Sequence, residues 1–151
     1  MSTPAIPAGF APLTLGGEFI VANGPLFERC EGEAYQLGFR VEKRHTNTMG
    51  ICHGGMMATF CDMLLPITAF RRNNGLRARF LPTVSLDIDY LAPAPLGAWV
   101  QGEAQVLRTT RSMVFAQGLV SADGEPVARV SGVFKIGAAF AAALAEGGAA
   151  G

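Results

Sequence analysis

From about residue 54 to residue 70 the chain is apolar on every helical face, with Met56, Met57, Ala58, Phe60, Cys61, Leu64, Leu65 and Ile67 leaving no polar stripe. A helix of this pattern cannot lie on a surface; other elements must enclose it. Pro66 falls inside it and cannot donate to the Asp62 carbonyl, which predicts a kink or a weak turn. Across residues 49–70 only His53 and Asp62 are charge-bearing, so membrane insertion has to be weighed. Gly54, Gly55 and Pro66 interrupt the stretch and its two ends lack aromatic anchors, so it reads as a buried helix of a soluble protein, with no membrane partner.

What encloses it is written in alternation. Tyr35, Leu37, Phe39 and Val41 alternate with Gln36, Gly38, Arg40 and Glu42, predicting a strand with one wet face ahead of the helix. After the helix, Val84, Leu86, Ile88 and Tyr90 alternate with Thr83, Ser85, Asp87 and Asp89. The run 92–97, rich in Pro and Ala, ends that strand. Three more strands are expected near 98–108, 112–121 and 126–136, the last two joined through Asp123-Gly124, a hairpin signal. One segregated helix among strands joined by short turns gives an α+β chain, an antiparallel sheet curled around a single helix. Residues 1–24, rich in Pro, Gly and Ala, read as an N-terminal arm. Residues 25–137 form the domain, and residues 138–151 a low-complexity, disordered tail.

Composition narrows the partners. Charged residues make up 16% of the 151 and hydrophobic residues 50%, which excludes a disordered chain. Twelve cations balance twelve anions, so no global field attracts nucleic acid. So few charges suggest that surface is hidden in an oligomer. Three cysteines, Cys30, Cys52 and Cys61, form no pattern for a disulfide framework or a zinc site, which points to a reducing, cytoplasmic setting. No signal peptide is read at the N-terminus, and no metal or separate cofactor is expected.

The chemistry concentrates where the helix begins. Gly54 and Gly55 leave backbone N–H groups unshielded at the positive end of a helix dipole, a place for a carbonyl oxygen gaining negative charge. Asp62 stands about two turns further along. A carboxylate on so apolar a helix demands partners or a raised pKa. Together they suggest acyl chemistry with a carboxylate as base or nucleophile.

The pattern Asn47-x-x-Gly50-x-x-His53-Gly54-Gly55, followed by Asp62, resembles the hotdog-fold acyl-CoA thioesterases of the phenylacetate-pathway (PaaI-like) type. The resemblance covers roughly residues 35–136, and the expected order of strands and helix is similar to that fold. It implies hydrolysis of aryl- or medium-chain acyl-CoA to free acid and coenzyme A. In that family Asp62 would be base or nucleophile, and the Gly54 N–H would bind the thioester oxygen. Asn47 of the partner subunit would orient the attacking water or the carboxylate, His53 would shape the pocket, Gly55 would bind the substrate, and Thr83 would touch the nucleophilic water. Thr83 stands where relatives often carry Ser or Thr. The resemblance further implies a homodimer with the active site at its interface, joined as a dimer of dimers.

Ten of the twelve cations are arginines. Arg71 and Arg72 at the helix exit, and Arg108, Arg111 and Ser112 around a turn that lies near the nucleotide in similar enzymes, are the candidates for holding coenzyme A phosphates. Two other functions share the architecture: a hotdog enoyl-CoA hydratase or dehydratase, and a non-catalytic acyl-CoA binding or sensing module. Asn47 could simply brace its turn, His53 could cap the helix, and each arginine could be solvated surface. Cys52 beside His53 lacks an orienting third group for a nucleophile.

Overall fold

The apolar stretch becomes helix α2, Gly54–Arg72, unbroken through Pro66. The computed structural model describes residue 2 and residues 4–139. Its strands are β1 (Ala11–Pro12), β2 (Phe27–Glu31), β3 (Ala34–Arg40), β4 (Thr83–Tyr90), β5 (Trp99–Thr109), β6 (Met113–Ala122) and β7 (Glu125–Lys135). A second short helix, α1, spans Gly17–Asn23. All strand pairs are antiparallel and form one sheet in the order β1-β2-β3-β5-β6-β7-β4. The strand that follows α2 in sequence therefore lies at the far edge, against β7, and carries Thr83 back beside the helix.

The sheet curls around one face of α2. Met56, Met57, Phe60, Cys61, Leu64, Leu65 and Ala69 are buried there among Leu37, Phe39, Val100, Val114 and Phe134. Gly102 on β5 permits the close approach: a Cβ at this position would sit 2.6 Å from Cδ2 of Leu64. The opposite face of α2, with Ala58, Thr59, Asp62, Met63, Pro66, Ile67 and Phe70, is only half-buried. Complete enclosure, expected from the sequence, is thus not supplied by one chain. No described helix is long and apolar enough to cross a membrane.

The five expected strands are present, and the Asp123-Gly124 turn has both residues at positive φ, 47° and 88°, as a tight hairpin needs. The sequence reading missed β2, whose Phe-Glu-Arg-Cys-Glu has no strict alternation and is held by pairing with β3. Residues 1–24, read as an arm, contribute β1 and α1. Of the expected tail, residues 140–151 lie outside the described residues. Ala138 and Ala139 are bonded to the segment ahead of β4: Phe80 N–H donates to the Ala138 carbonyl, and Arg79 bridges Ala139.

Candidate active site

The first turn of α2 decides which backbone donors are available. Its N-cap is His53, whose Nδ1 accepts from the Gly55 N–H at 2.8 Å. The Met56 and Met57 N–H groups both donate to the His53 carbonyl. Of the four donors at this helix start, that of Gly54 alone has no partner among the described residues. The next peptide is clamped at both ends, since its N–H is the one His53 accepts and its carbonyl, that of Gly54, accepts from Oη of Tyr90 at 2.7 Å. Partial burial pushes the Tyr90 hydroxyl above the ordinary phenol range, which keeps it a donor at neutral pH. His53 accepts at Nδ1, which leaves Nε2 as the ring position free to donate. That bond makes it a cap for the helix.

Asp62 lies on the half-buried face of the same helix. Its partner is Thr83, whose Oγ1 donates to Oδ1 at 2.6 Å, while Oδ2 has no partner among the described residues. The hydroxyl fixes the carboxylate's orientation and leaves one oxygen open. Two cavities meet at this pair. One, of about 430 Å³, reaches from Gly55 past Thr59 to Asp62. The other, of about 210 Å³, continues from Asp62 and Thr83 between Met63, Pro66, Ile67 and Phe80.

Not every candidate converges here. Asn47 braces its own turn, its Oδ1 accepting from the N–H of Met49 at 3.0 Å and of Ile51 at 3.4 Å. It lines neither cavity of this chain. Arg71 pairs with Glu28 at 2.9 Å and Arg72 with Glu33 at 3.2 Å, so both guanidinium groups already have anions. Arg108, Arg111 and Ser112 are exposed around the β5–β6 turn. Cys52 and Cys61 are buried thiols, pushed up to about 11 and about 12, chiefly by desolvation. Both stay protonated at neutral pH, which disqualifies Cys52 as a nucleophile. Among the described residues no three His, Cys, Asp or Glu side chains gather as a metal site.

Sequence reasoning missed Tyr90 and Thr59. Tyr90 was read only as an apolar strand position, and nothing in one sequence reveals that β4 crosses to the helix start. Thr59 lies one turn before Asp62 on the cavity face and could have been found from helical spacing; its hydroxyl donates to the Gly55 carbonyl at 2.9 Å.

The model of the thioesterase superfamily matches residues 49–128, which include the helix start, Asp62 and Thr83. The chain belongs to this superfamily. It is therefore an enzyme of the thioester-hydrolase class, and its sheet around a central helix is the hotdog fold of that superfamily. A Pseudomonas aeruginosa protein provisionally named an esterase is 29% identical over 133 residues, 87% of this chain and 97% of that one. Human acyl-coenzyme A thioesterase 13 is 35% identical over 103 residues, 67% of this chain and 65% of the human one. A solved phenylacetic acid degradation-related protein of Ralstonia eutropha superposes with a TM-score of 0.68, covering 81% of this chain and 92% of its own. Its 19% identity makes that likeness one of fold.

Proposed function

We propose that this superfamily member hydrolyses acyl-CoA thioesters, of aryl or medium-chain acids, to the free acid and coenzyme A. The observation that carries the reading is the open Gly54 N–H at the start of the helix whose cavity-facing side presents Asp62. A thioester carbonyl at the helix start gains negative charge on its oxygen as its carbon is attacked. A preorganised N–H at the positive end of the dipole stabilises that charge most when it is fully developed. The open Oδ2 of Asp62 takes a proton from water, the hydroxide attacks the carbon, and the C–S bond breaks with the electron pair leaving on sulfur, which receives the proton that Asp62 had taken. Attack by the carboxylate itself, followed by hydrolysis of the anhydride, uses the same atoms. Thr83 holds the carboxylate in either case.

The half-buried face of α2 and the open edge of β4 support a homodimer as the working unit, paired into a dimer of dimers. Asn47 of the partner subunit then completes the site, consistent with its lining neither of Asp62's cavities within one chain. Arg108, Arg111 and Ser112 are the better candidates for the nucleotide, because Arg71 and Arg72 are already paired.

The test is thiol release from short, medium, long and aromatic acyl-CoAs by the wild type and by Asp62→Asn. Loss of about 10²- to 10⁴-fold in turnover is expected, the scale of a positioned acid–base group. Near wild-type turnover by the folded variant would refute the assignment of Asp62.

A further inference from the structure

The segment read as an N-terminal arm forms a wall of both cavities that meet at Asp62. Leu15 and Gly16 line the 210 Å³ cavity, and Gly16, Phe19 and Ile20 line its larger neighbour. The cavities share Gly16, Asp62, Met63 and Thr83, so the chain at Gly16 passes where one opens into the other. Gly16 sits at φ 119°, and a Cβ there would meet Ile20 at 2.5 Å and Met63 Cε at 3.1 Å. Only glycine lets the backbone come this close to α2.

The wall is anchored on both sides. Before it, Ala11 and Pro12 pair with Glu28 and Phe27, and the Leu13 N–H donates to the Leu26 carbonyl at 2.8 Å. After it, Ile20 is 7% exposed, and the carbonyls that end α1 are held from the loop ahead of Asn47. Arg44 donates to the Ala22 carbonyl. His45, buried, accepts the Glu42 N–H at Nδ1 and so donates from Nε2 to the Asn23 carbonyl at 2.6 Å. A loop pinned at both ends presents a fixed surface to a ligand.

We infer that Leu15, carried on this arch, is the residue that sets which acyl groups the enzyme accepts. The inference rests on the proposed hydrolysis, with the thioester between Gly54 and Asp62 and the acyl group in the smaller cavity. That cavity is apolar along Leu15, Met63, Pro66, Ile67 and Phe80. At about 210 Å³ it exceeds the roughly 150 Å³ cavity that holds a benzene molecule. It therefore suits an aryl group on a short linker, or a chain of similar bulk.

Equilibrium binding of S-alkyl-CoA thioethers, from ethyl through phenethyl to dodecyl, tests this without any need for turnover. Thiol release from the matching thioesters is measured alongside. Leu15 is only half-buried, so Leu15→Ala and Leu15→Trp leave the core intact. Leu15→Ala is expected to shift affinity toward the longer chains by about tenfold relative to ethyl, the low end for methylene-sized discrimination. Leu15→Trp should weaken phenethyl and longer chains by about tenfold while ethyl-CoA binds as before. Identical profiles in all three proteins, with hydrolysis intact, overturn the role of Leu15 alone. A shifted profile without hydrolysis supports the wall and overturns the reaction. Failure of every thioether to bind overturns both.

Discussion

The two faces of α2 are built to opposite specifications. Toward the sheet, Phe60, Cys61, Leu64 and Leu65 are all 0% exposed, and Gly102 is pared to a hydrogen so that Leu64 fits. Toward the cavities, Thr59, Asp62, Met63 and Pro66 leave space that a single chain does not fill. Close packing gives no room for a substrate, and an open face contributes little cohesion. One helix combines them because its period places residues 60, 61, 64 and 65 away from residues 59, 62, 63 and 66. Stability and chemistry should then respond separately to substitution.

The largest effect that separates the faces is Asp62→Asn. It should remove about 10²- to 10⁴-fold of turnover with little change in thermal midpoint, because the side chain adds little to the core. Calorimetry on the same preparation checks the second half. Phe60→Ala, on the other face, should cost about 3–5 kcal/mol of stability through the cavity it leaves, read by urea unfolding. Its activity per folded molecule should be far less affected. A Phe60→Ala protein as stable as the wild type would dissolve the contrast.

Smaller effects sharpen the contrast around the site. Arg111→Ala should raise KM about three- to tenfold with kcat little changed, as for a lost charge-assisted contact that is the same in ground and transition states. Arg72→Ala should leave KM unchanged, since that guanidinium is engaged by Glu33. Steady-state kinetics on the two variants, compared directly, decides whether the β5–β6 turn binds the nucleotide. Tyr90→Phe frees the Gly54 carbonyl and loosens the peptide beside the open N–H. A fall of about two- to tenfold in kcat, with KM steady, is the scale of one hydrogen bond.

The sheet-facing side also predicts an alkaline limit. Burial raises Cys61 from the ordinary thiol value of 9.0 to about 12 and Cys52 to about 11, and moves Tyr35 upward as well. Above about pH 9 the unfolded chain releases these protons while the folded chain keeps them, so stability falls as pH rises toward 12. It is fully present below pH 9. Thermal midpoints at pH 8, 9.5 and 11 should decline, and Cys61→Ala should flatten the decline.

Much of this was legible in the residues. Periodicity marked α2 and five strands, because helix and strand faces repeat at 3.6 and 2 residues whatever the rest of the chain does. The spacing from His53-Gly54-Gly55 to Asp62 located the helix start and the carboxylate, since both lie on one regular element. Strand β2 escaped because its Phe27–Glu31 sequence has no pattern apart from its pairing with β3. Arg71 and Arg72 stood among the coenzyme A candidates because a sequence does not show that Glu28 and Glu33 lie opposite them.

By itself the sequence determined α2, five of the strands and the family, all of which depend on residues near one another along the chain. Tertiary structure alone decided which atoms are left open. The Gly54 N–H stands out only because His53 and the helix geometry occupy its neighbours. The carboxylate of Asp62 is held by Thr83 from the far edge of the sheet, and Tyr90 reaches the helix start from that same edge. The wall at Leu15 and Gly16 exists because residues 11–13 and 20–23 are tied to strands and loops distant in sequence. Such contacts join residues tens of positions apart, and their partners are chosen by the packing of the whole sheet around the helix, which no local pattern encodes.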